Sequence, residues 1–436
     1  MPLDAPVMRA IMARILCRPA HGVRVPGGRR HRVEVPTGGP FRCAAAIFIM
    51  DIMLPTRTDA VLLTGVTGFV GTAIMLRILE RSDRPVVALV RAADREQAAT
   101  RVRQALGEVV RTQAELDAYM SRTTAVPADL LADGLGLRFG DREDITYRCD
   151  EILHCAASVS FDLPLDAARA VNASGAARVA ELATRCAVRG AGLQRLVHVS
   201  TAYVAGDREG VFGEDDVTLD HSFRNTYEQT KHEAEQLLRA WTPRLPLQIV
   251  RPSIVVGERA TGWTRSFNVL YWPLKMFARG RLPVVPARAD APVDVVPVDY
   301  VADVVLGLAG APEGTYHAVA GSNASTVAEV IDLAAARFGV PSPAIVDPNV
   351  IEEALARPMS EPQRRALEQA RIFFPYFRLG VRFDDRWARS ILEPAGVATD
   401  PLASYFGTLM DYAQRAAWGG RTSALTVTSG DVTVAA

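Results

Sequence analysis

Tyr227 and Lys231 lie four residues apart at the start of a helical pattern, and Ser200 and Thr201 stand together at the end of an apolar run. Residues four apart share one helix face, so a phenol and an ammonium can address a single ligand. A neighbouring ammonium stabilises phenolate and lowers a tyrosine pKa toward the working range of a general acid or base. Lysine can do this while also hydrogen-bonding a ribose. The choice of lysine is informative in this chain, because only Lys231 and Lys275 interrupt an arginine habit that supplies the rest of its 49 basic residues. Arginine holds its proton too firmly, and its planar fork is a poor substitute for a point charge.

A Tyr-x-x-x-Lys pair needs a platform, and the stretch Val61 to Gly71 offers one. An apolar run meets the turn Gly65-Val-Thr-Gly68-Phe-Val-Gly71 and passes into a helical pattern, which reads as strand, phosphate loop and helix. Gly65 allows a tight turn, Gly68 lets main chain approach a pyrophosphate, and Gly71 permits close helix–sheet packing. The helix N-terminus offers unpaired N–H groups to the anion.

From Ala60 to about Gly321, short apolar runs alternate with helical stretches, the pattern of a parallel sheet covered on both faces. Strands are predicted at Val61–Thr64, Val86–Val90, Leu137–Phe139, Glu151–Cys155, Arg195–Val199, Leu247–Val250 and Thr315–Val319. Helices are predicted at Gly71–Glu80, Arg95–Leu106, Leu165–Cys186 and Thr226–Ala240. The fold class expected is α/β, a doubly wound parallel-sheet Rossmann fold with a smaller, mainly helical C-terminal substrate subdomain. Arg91, just past the second strand, stands where an acid would hold the ribose of NAD, and so points to the 2′-phosphate of NADP. Arg101 can reach the same phosphate or be a solvated surface residue. Asp141 is expected to close the third strand, where a carboxylate can bind the adenine amino group. Ala156 and Ala157 leave room for ribose and nicotinamide, and His154 before them reads as a packed strand residue. Asn172 either braces the site or is an internal helix polar group.

With 436 residues, 49% hydrophobic and 22% charged, the chain can bury a sizeable core. A formal net charge of +0 gives no support to nucleic-acid or anionic-membrane binding. Five cysteines without a C-x-x-C pair argue against a disulfide framework or a zinc site and favour a reducing cytoplasm. Domains are expected at 1–57, an arginine-rich leader with little stable structure; 58–325, the nucleotide domain with a substrate-side insertion at 257–290; 326–418, the C-terminal subdomain; and 419–436, a disordered tail. Met50 and Met53 are alternative starts before the first strand, and no bilayer-spanning segment is expected. The insertion concentrates Trp263, Phe267, Leu270, Tyr271, Trp272, Leu274, Met276 and Phe277. These can line an acyl-chain or steroid tunnel, touch a membrane surface peripherally, or pack as a lid helix. Thr326 and Glu329 form a capping box for a helix ending at Gly339, and Ala354–Phe374 and Arg386–Leu392 suggest further helices.

Taken as a set, Thr64-Gly65-Val-Thr-Gly68-Phe-Val-Gly71, Leu89-Val-Arg91, His154-Cys-Ala-Ala157, Val199-Ser-Thr-Ala-Tyr203, Tyr227-x-x-x-Lys231 and Arg251-Pro-Ser253 resemble the extended short-chain dehydrogenase/reductases. The resemblance covers Ala60 to Gly321 and is nearest to the thioester reductase and fatty acyl-CoA reductase branch, as is the stretch Val293 to Asp303. Asp299 within that stretch also reads as a helix cap. The resemblance implies that Tyr227 protonates the substrate oxygen, that Lys231 tunes it and holds the nicotinamide ribose, and that Thr201, with Ser200 as the alternative, hydrogen-bonds the carbonyl. It implies that Gly65, Thr67, Gly68, Phe69, Val70 and Gly71 cradle pyrophosphate, that Arg91 and Arg101 hold the 2′-phosphate, and that Pro252 and Ser253 lie beside the carboxamide. The implied reaction is NADPH-dependent reduction of an acyl-CoA or carrier-bound thioester to aldehyde or alcohol. No adenylation or carrier domain precedes the fold, so a free-standing enzyme is expected. A dehydrogenase or epimerase of a hydroxyl or ketone substrate, of steroid or sugar-nucleotide type, would need the same Tyr-Lys pair. A cofactor-sensing protein would have no use for it.

Overall fold

The computed structural model describes residues 59–161, 163–190, 192–217, 222–267, 269–347, 361, 376, 380–420, 426–427 and 432–433. The predicted leader, the helix at Ala354–Phe374 and most of the tail lie outside them. Seven strands form one parallel sheet: β1 Ala60–Thr64, β2 Val86–Val90, β3 Thr123–Pro127, β4 Cys149–His154, β5 Arg195–Val199, β6 Leu247–Pro252 and β7 Gly314–Ala318. Their order is β7-β6-β5-β4-β1-β2-β3. Five of these strands are buried along their whole length, as near-continuous apolar runs must be when helices cover both sheet faces. The chain proceeds from β1 outward to β2 and β3, then crosses to β4 on the other side. The crevice at the C-terminal ends of β1 and β4 is thus the topological switch point where such folds bind ligands.

The third strand differs from expectation. Leu137–Phe139 is not a strand; Gly134, Leu135 and Gly136 have φ of 57°, 61° and 64°, a left-handed turn that ends extended structure. The helix Phe139–Arg148 follows at once, so Asp141 sits in its first turn. The edge position is taken by β3, whose β-branched Thr123 and Thr124 suit a half-exposed strand.

The helices that position the site are α1 Phe69–Arg81, α2 Arg95–Gly107, α3 Gln113–Ser121, α4 Phe139–Arg148, α5 over residues 165–189 and α6 Thr226–Arg239. The helix predicted across 165–186 is α5, formed by Leu165–Arg169, a π-helical turn Ala170–Ser174 and Gly175–Arg189. Beyond β6 come α7 Tyr271–Ala278, α8 Val298–Gly307, α9 Val327–Phe338, α10 Arg386–Leu392 and α11 Leu402–Arg415. Thr326 and Glu329 make both halves of the capping box on α9, and Gly339 ends it at φ 64°. Residues of α7, α9 and α11 share one apolar core, including Leu274, Ile331 and Leu409.

The aromatic concentration before Pro286 divides its labour. Trp263 packs on Phe69 with ring centroids 5.3 Å apart, and Phe267 stacks on Tyr412. Leu270, Trp272, Leu274 and Phe277 instead face Val330 and Ile331 of α9 across a wholly apolar cavity of about 60 Å³. No helix among the described residues is long and apolar enough to cross a membrane.

Candidate active site

The loop after β1 is built for close approach. Gly65 has φ +76°, and a Cβ there would lie 2.7 Å from the Ala156 amide nitrogen, so the ends of β1 and β4 touch main chain to main chain. A Cβ on Gly71 would fall 2.1 Å from the Gly65 carbonyl oxygen, which makes glycine a steric requirement where the helix turns back on its loop. Gly68 is exposed and precedes α1 without a side-chain cap, so the first N–H groups of the helix have no internal side-chain acceptor. Val70 is half-buried in the first turn, as is Thr67 in the loop. This cradle fits a dinucleotide pyrophosphate in shape and in polarity.

At the ends of β2 and β3, a polar cavity of about 390 Å³ is lined by Arg91, Arg95, Asp129, Arg138 and Asp141 among others. The Arg91 side chain is exposed and lines this cavity, and the Arg101 guanidinium donates to the Arg91 carbonyl oxygen. Asp141 reaches the cavity from α4 and pairs with Arg95, so it does not end a strand. The carboxylate that follows the third strand is Asp129, which accepts the Leu131 N–H at 2.9 Å. Sequence reading overlooked it because Ala128-Asp129 follows an unpromising Thr-rich run.

The hydroxyls of Thr201 and Tyr227 face each other. Thr201 caps a short 3-10 turn, Ala202–Ala205, through the Tyr203 N–H at 3.2 Å, and lies 3.4 Å from the Pro252 carbonyl. Burial pushes the Tyr227 phenol up to about 12, and hydrogen bonding with the Thr201 hydroxyl pulls it the other way. Ser200 is also buried, but its hydroxyl faces the Glu235 carboxylate, without a hydrogen bond of good geometry between them. Thr201, not Ser200, is therefore the neighbour of the phenol.

Lys231 lies one helical turn beyond Tyr227 on α6. Its side chain is long enough to pass Tyr227, and its ammonium donates to the Val199 carbonyl at 2.8 Å and to His198 Nε2 at 3.1 Å. Burial brings its pKa down to about 8, opposed by the charge of Glu235 and by Cys155. The ammonium thus sits at the C-terminal end of β5, within electrostatic reach of Cys155 just past β4. His154 is a packed strand residue, hydrogen-bonded to Thr64 at 2.8 Å and aligned with His198 on β5. Asn172 braces the site: from the π-turn of α5 it clasps both backbone groups of Ser158 and donates to Thr230 of α6 at 2.9 Å.

The Arg251-Pro-Ser253 stretch also has a scaffold role. Arg251 and Glu235 form a buried two-bond ion pair, 3.0 and 2.7 Å, that ties α6 to β6. Pro252 and Ser253 lie buried at the strand end, with the Ser253 hydroxyl facing the buried Asp294. Asp299 does not cap α8, whose N-cap is Pro297; it pins Arg259 instead.

A seven-stranded parallel sheet with a glycine-rich first turn and a Thr, Tyr and Lys gathered past β5 defines the extended short-chain dehydrogenase/reductase class, a dinucleotide-binding fold. Within that class, residues 63–305 match the family described as "Male sterility protein", and the chain belongs to that family. It is 26% identical over 323 residues to the "Probable fatty acyl-CoA reductase 5" of Arabidopsis thaliana, covering 59% of this chain and 64% of that protein. It is 33% identical over 240 residues to the "Isonitrile lipopeptide synthase" of Streptomyces coeruleorubidus, covering 55% of this chain and 15% of that one. Among solved structures it resembles "the terminal R domain from the myxalamid PKS-NRPS biosynthetic pathway" at 26% identity and a TM-score of 0.72, over 83% of this chain and 92% of that domain. The match to the plant protein spans a little under two thirds of its length.

Proposed function

We propose that the chain reduces an acyl thioester to an aldehyde, with NADPH as the reductant. The observation that carries this reading is the Thr201–Tyr227 pair of hydroxyls beside the crevice formed by Gly65 and Ala156. The fatty acyl-CoA reductase and R-domain relatives support the thioester as substrate class. Bound NADPH supplies the hydride. Tyr227 keeps its proton at neutral pH and delivers it to the oxygen that becomes negative as the carbonyl is reduced, while Thr201 holds that oxygen with a second hydrogen bond. Two of the three Lys231 N–H groups are engaged, which leaves one for a ribose hydroxyl. The tetrahedral hemithioacetal then loses its thiol and leaves an aldehyde. The apolar cavity between α7 and α9 has the chemistry to take part of a hydrocarbon chain.

Arg91, which lines the cavity past β2, supplies the preference for NADPH with Arg101 anchored on its main chain, because a guanidinium there favours a 2′-phosphate over a free hydroxyl. The experiment is NADPH consumption by purified protein against long-chain acyl-CoAs, ketones and sterols. Oxidation with acyl-CoA, faster with NADPH than with NADH, is expected; turnover confined to ketones or sterols would replace the reading with a dehydrogenase. Arg91→Ala should weaken NADPH at least about tenfold more than NADH, the scale of one lost charged hydrogen bond.

A further inference from the structure

We propose that Arg265, on the segment between β6 and α7, is a positioning residue for the pyrophosphate loop. Four carbonyls in that loop would repel an anion if they turned toward it. Three are tied locally: Gly65 accepts from the Gly68 N–H at 2.8 Å, Val66 from the Thr72 hydroxyl at 2.8 Å and Gly68 from the Thr72 N–H at 2.9 Å. The fourth, Thr67, accepts from Arg265 Nη1 at 2.7 Å, and the same nitrogen lies 3.1 Å from the Thr72 hydroxyl oxygen. A charged donor thus reaches the nucleotide loop from 198 residues away in the chain.

Arg265 is itself held from several sides. Its Nε pairs with Glu108 at 2.6 Å, Nη2 reaches the Ala105 carbonyl past the middle of α2, and its guanidinium lies over the Trp263 ring. Trp263 in turn packs on Phe69, the first residue of α1. The segment cannot drift away, because Gly262 at φ +75° is wedged so close to α11 that a Cβ would lie 2.4 Å from the Thr408 carbonyl. Arg265 therefore works from a fixed point, drawing the Thr67 carbonyl away from the anion and leaving the α1 N–H groups to face it. It touches the loop, not the reacting atoms. The inference rests on dinucleotide binding alone and is independent of the thioester reading.

The test is titration of the full chain with NADPH and separately with NADH, without any thioester, followed by protein fluorescence and paired with thermal melting. Arg265→Ala should raise both dissociation constants by about tenfold, the scale of one charged hydrogen bond, with little change in melting temperature. Arg265→Lys, which keeps a charged donor, should recover most of the affinity. Unchanged binding in Arg265→Ala would overturn the proposal, as would a loss confined to NADPH, since the pyrophosphate is common to both dinucleotides. An equal loss in Arg265→Lys together with a collapsed melting temperature would reduce Arg265 to a fold-stabilising residue and also overturn it.

Discussion

Tyr227 is the residue on which the proposed chemistry turns, and its burial favours the acid over the base. A phenol held at about 12 by burial is protonated throughout the physiological range, and so can give up a proton when an oxyanion forms beside it. Tyr227→Phe should lower kcat by at least about 100-fold, the usual scale for a positioned proton donor, and leave NADPH affinity within about twofold. Steady-state rates combined with a nucleotide titration check both halves. Retained turnover would move the proton donor elsewhere. The Tyr-Lys spacing was legible because one helix carries both residues and the period of 3.6 fixes their common face. The reach of Lys231 was not legible, since only the folded chain brings the Val199 carbonyl and His198 within its length.

The loop and the first helix succeed or fail together as elements. Gly71→Ala forces a methyl group into the Gly65 carbonyl and should cost about 1–3 kcal/mol of stability by overpacking. Loss of dinucleotide affinity should accompany it, read by chemical denaturation and nucleotide titration; an unaffected loop would show that the close packing is unnecessary. The glycine spacing announced this element because so few residue types tolerate such proximity. The third strand gave no comparable signal. Thr123–Pro127 and Leu137–Phe139 are both short and ambiguous, and the choice between them was made by three consecutive left-handed residues, of which Leu135 is not even a glycine. Asp141 was accordingly assigned to a strand end that belongs to Asp129. The π-turn in α5 was equally hidden, since its purpose is to aim Asn172 at a loop and a neighbouring helix.

At the scale of the molecule, β6 and α6 are clamped by the Arg251–Glu235 pair, with both side chains almost wholly buried. Burial drives the Glu235 carboxyl upward, but Arg251 wins and holds it at about 2, below its ordinary 4.5. A carboxylate lowered on folding contributes stability that is complete above about 4.5 and disappears as pH falls toward 2. Arg251→Met leaves the buried acid only its longer contact with Arg239 at 3.4 Å and should cost about 3 kcal/mol, whereas Arg251→Met with Glu235→Leu should recover much of the loss. Denaturation across that pH window checks the pair, and a steep acid loss surviving in the double variant would assign it to other carboxylates. The parallel sheet followed from alternating strands and helices, whereas its strand order and the crevice between β1 and β4 came from the fold. Contacts between distant segments, such as Arg265 with the glycine loop, have no local pattern and emerged only from the fold.

In the proposed reaction the bond broken joins an acyl carbon to sulfur. This is tested most directly by incubating the protein with NADPH and a long-chain acyl-CoA and measuring free thiol and NADPH together. Thiol should be released in step with NADPH oxidised, one for one if the aldehyde is the product and one for two if the alcohol is. NADPH oxidised by ketones or sterols, with no thiol released from any acyl-CoA, would contradict it.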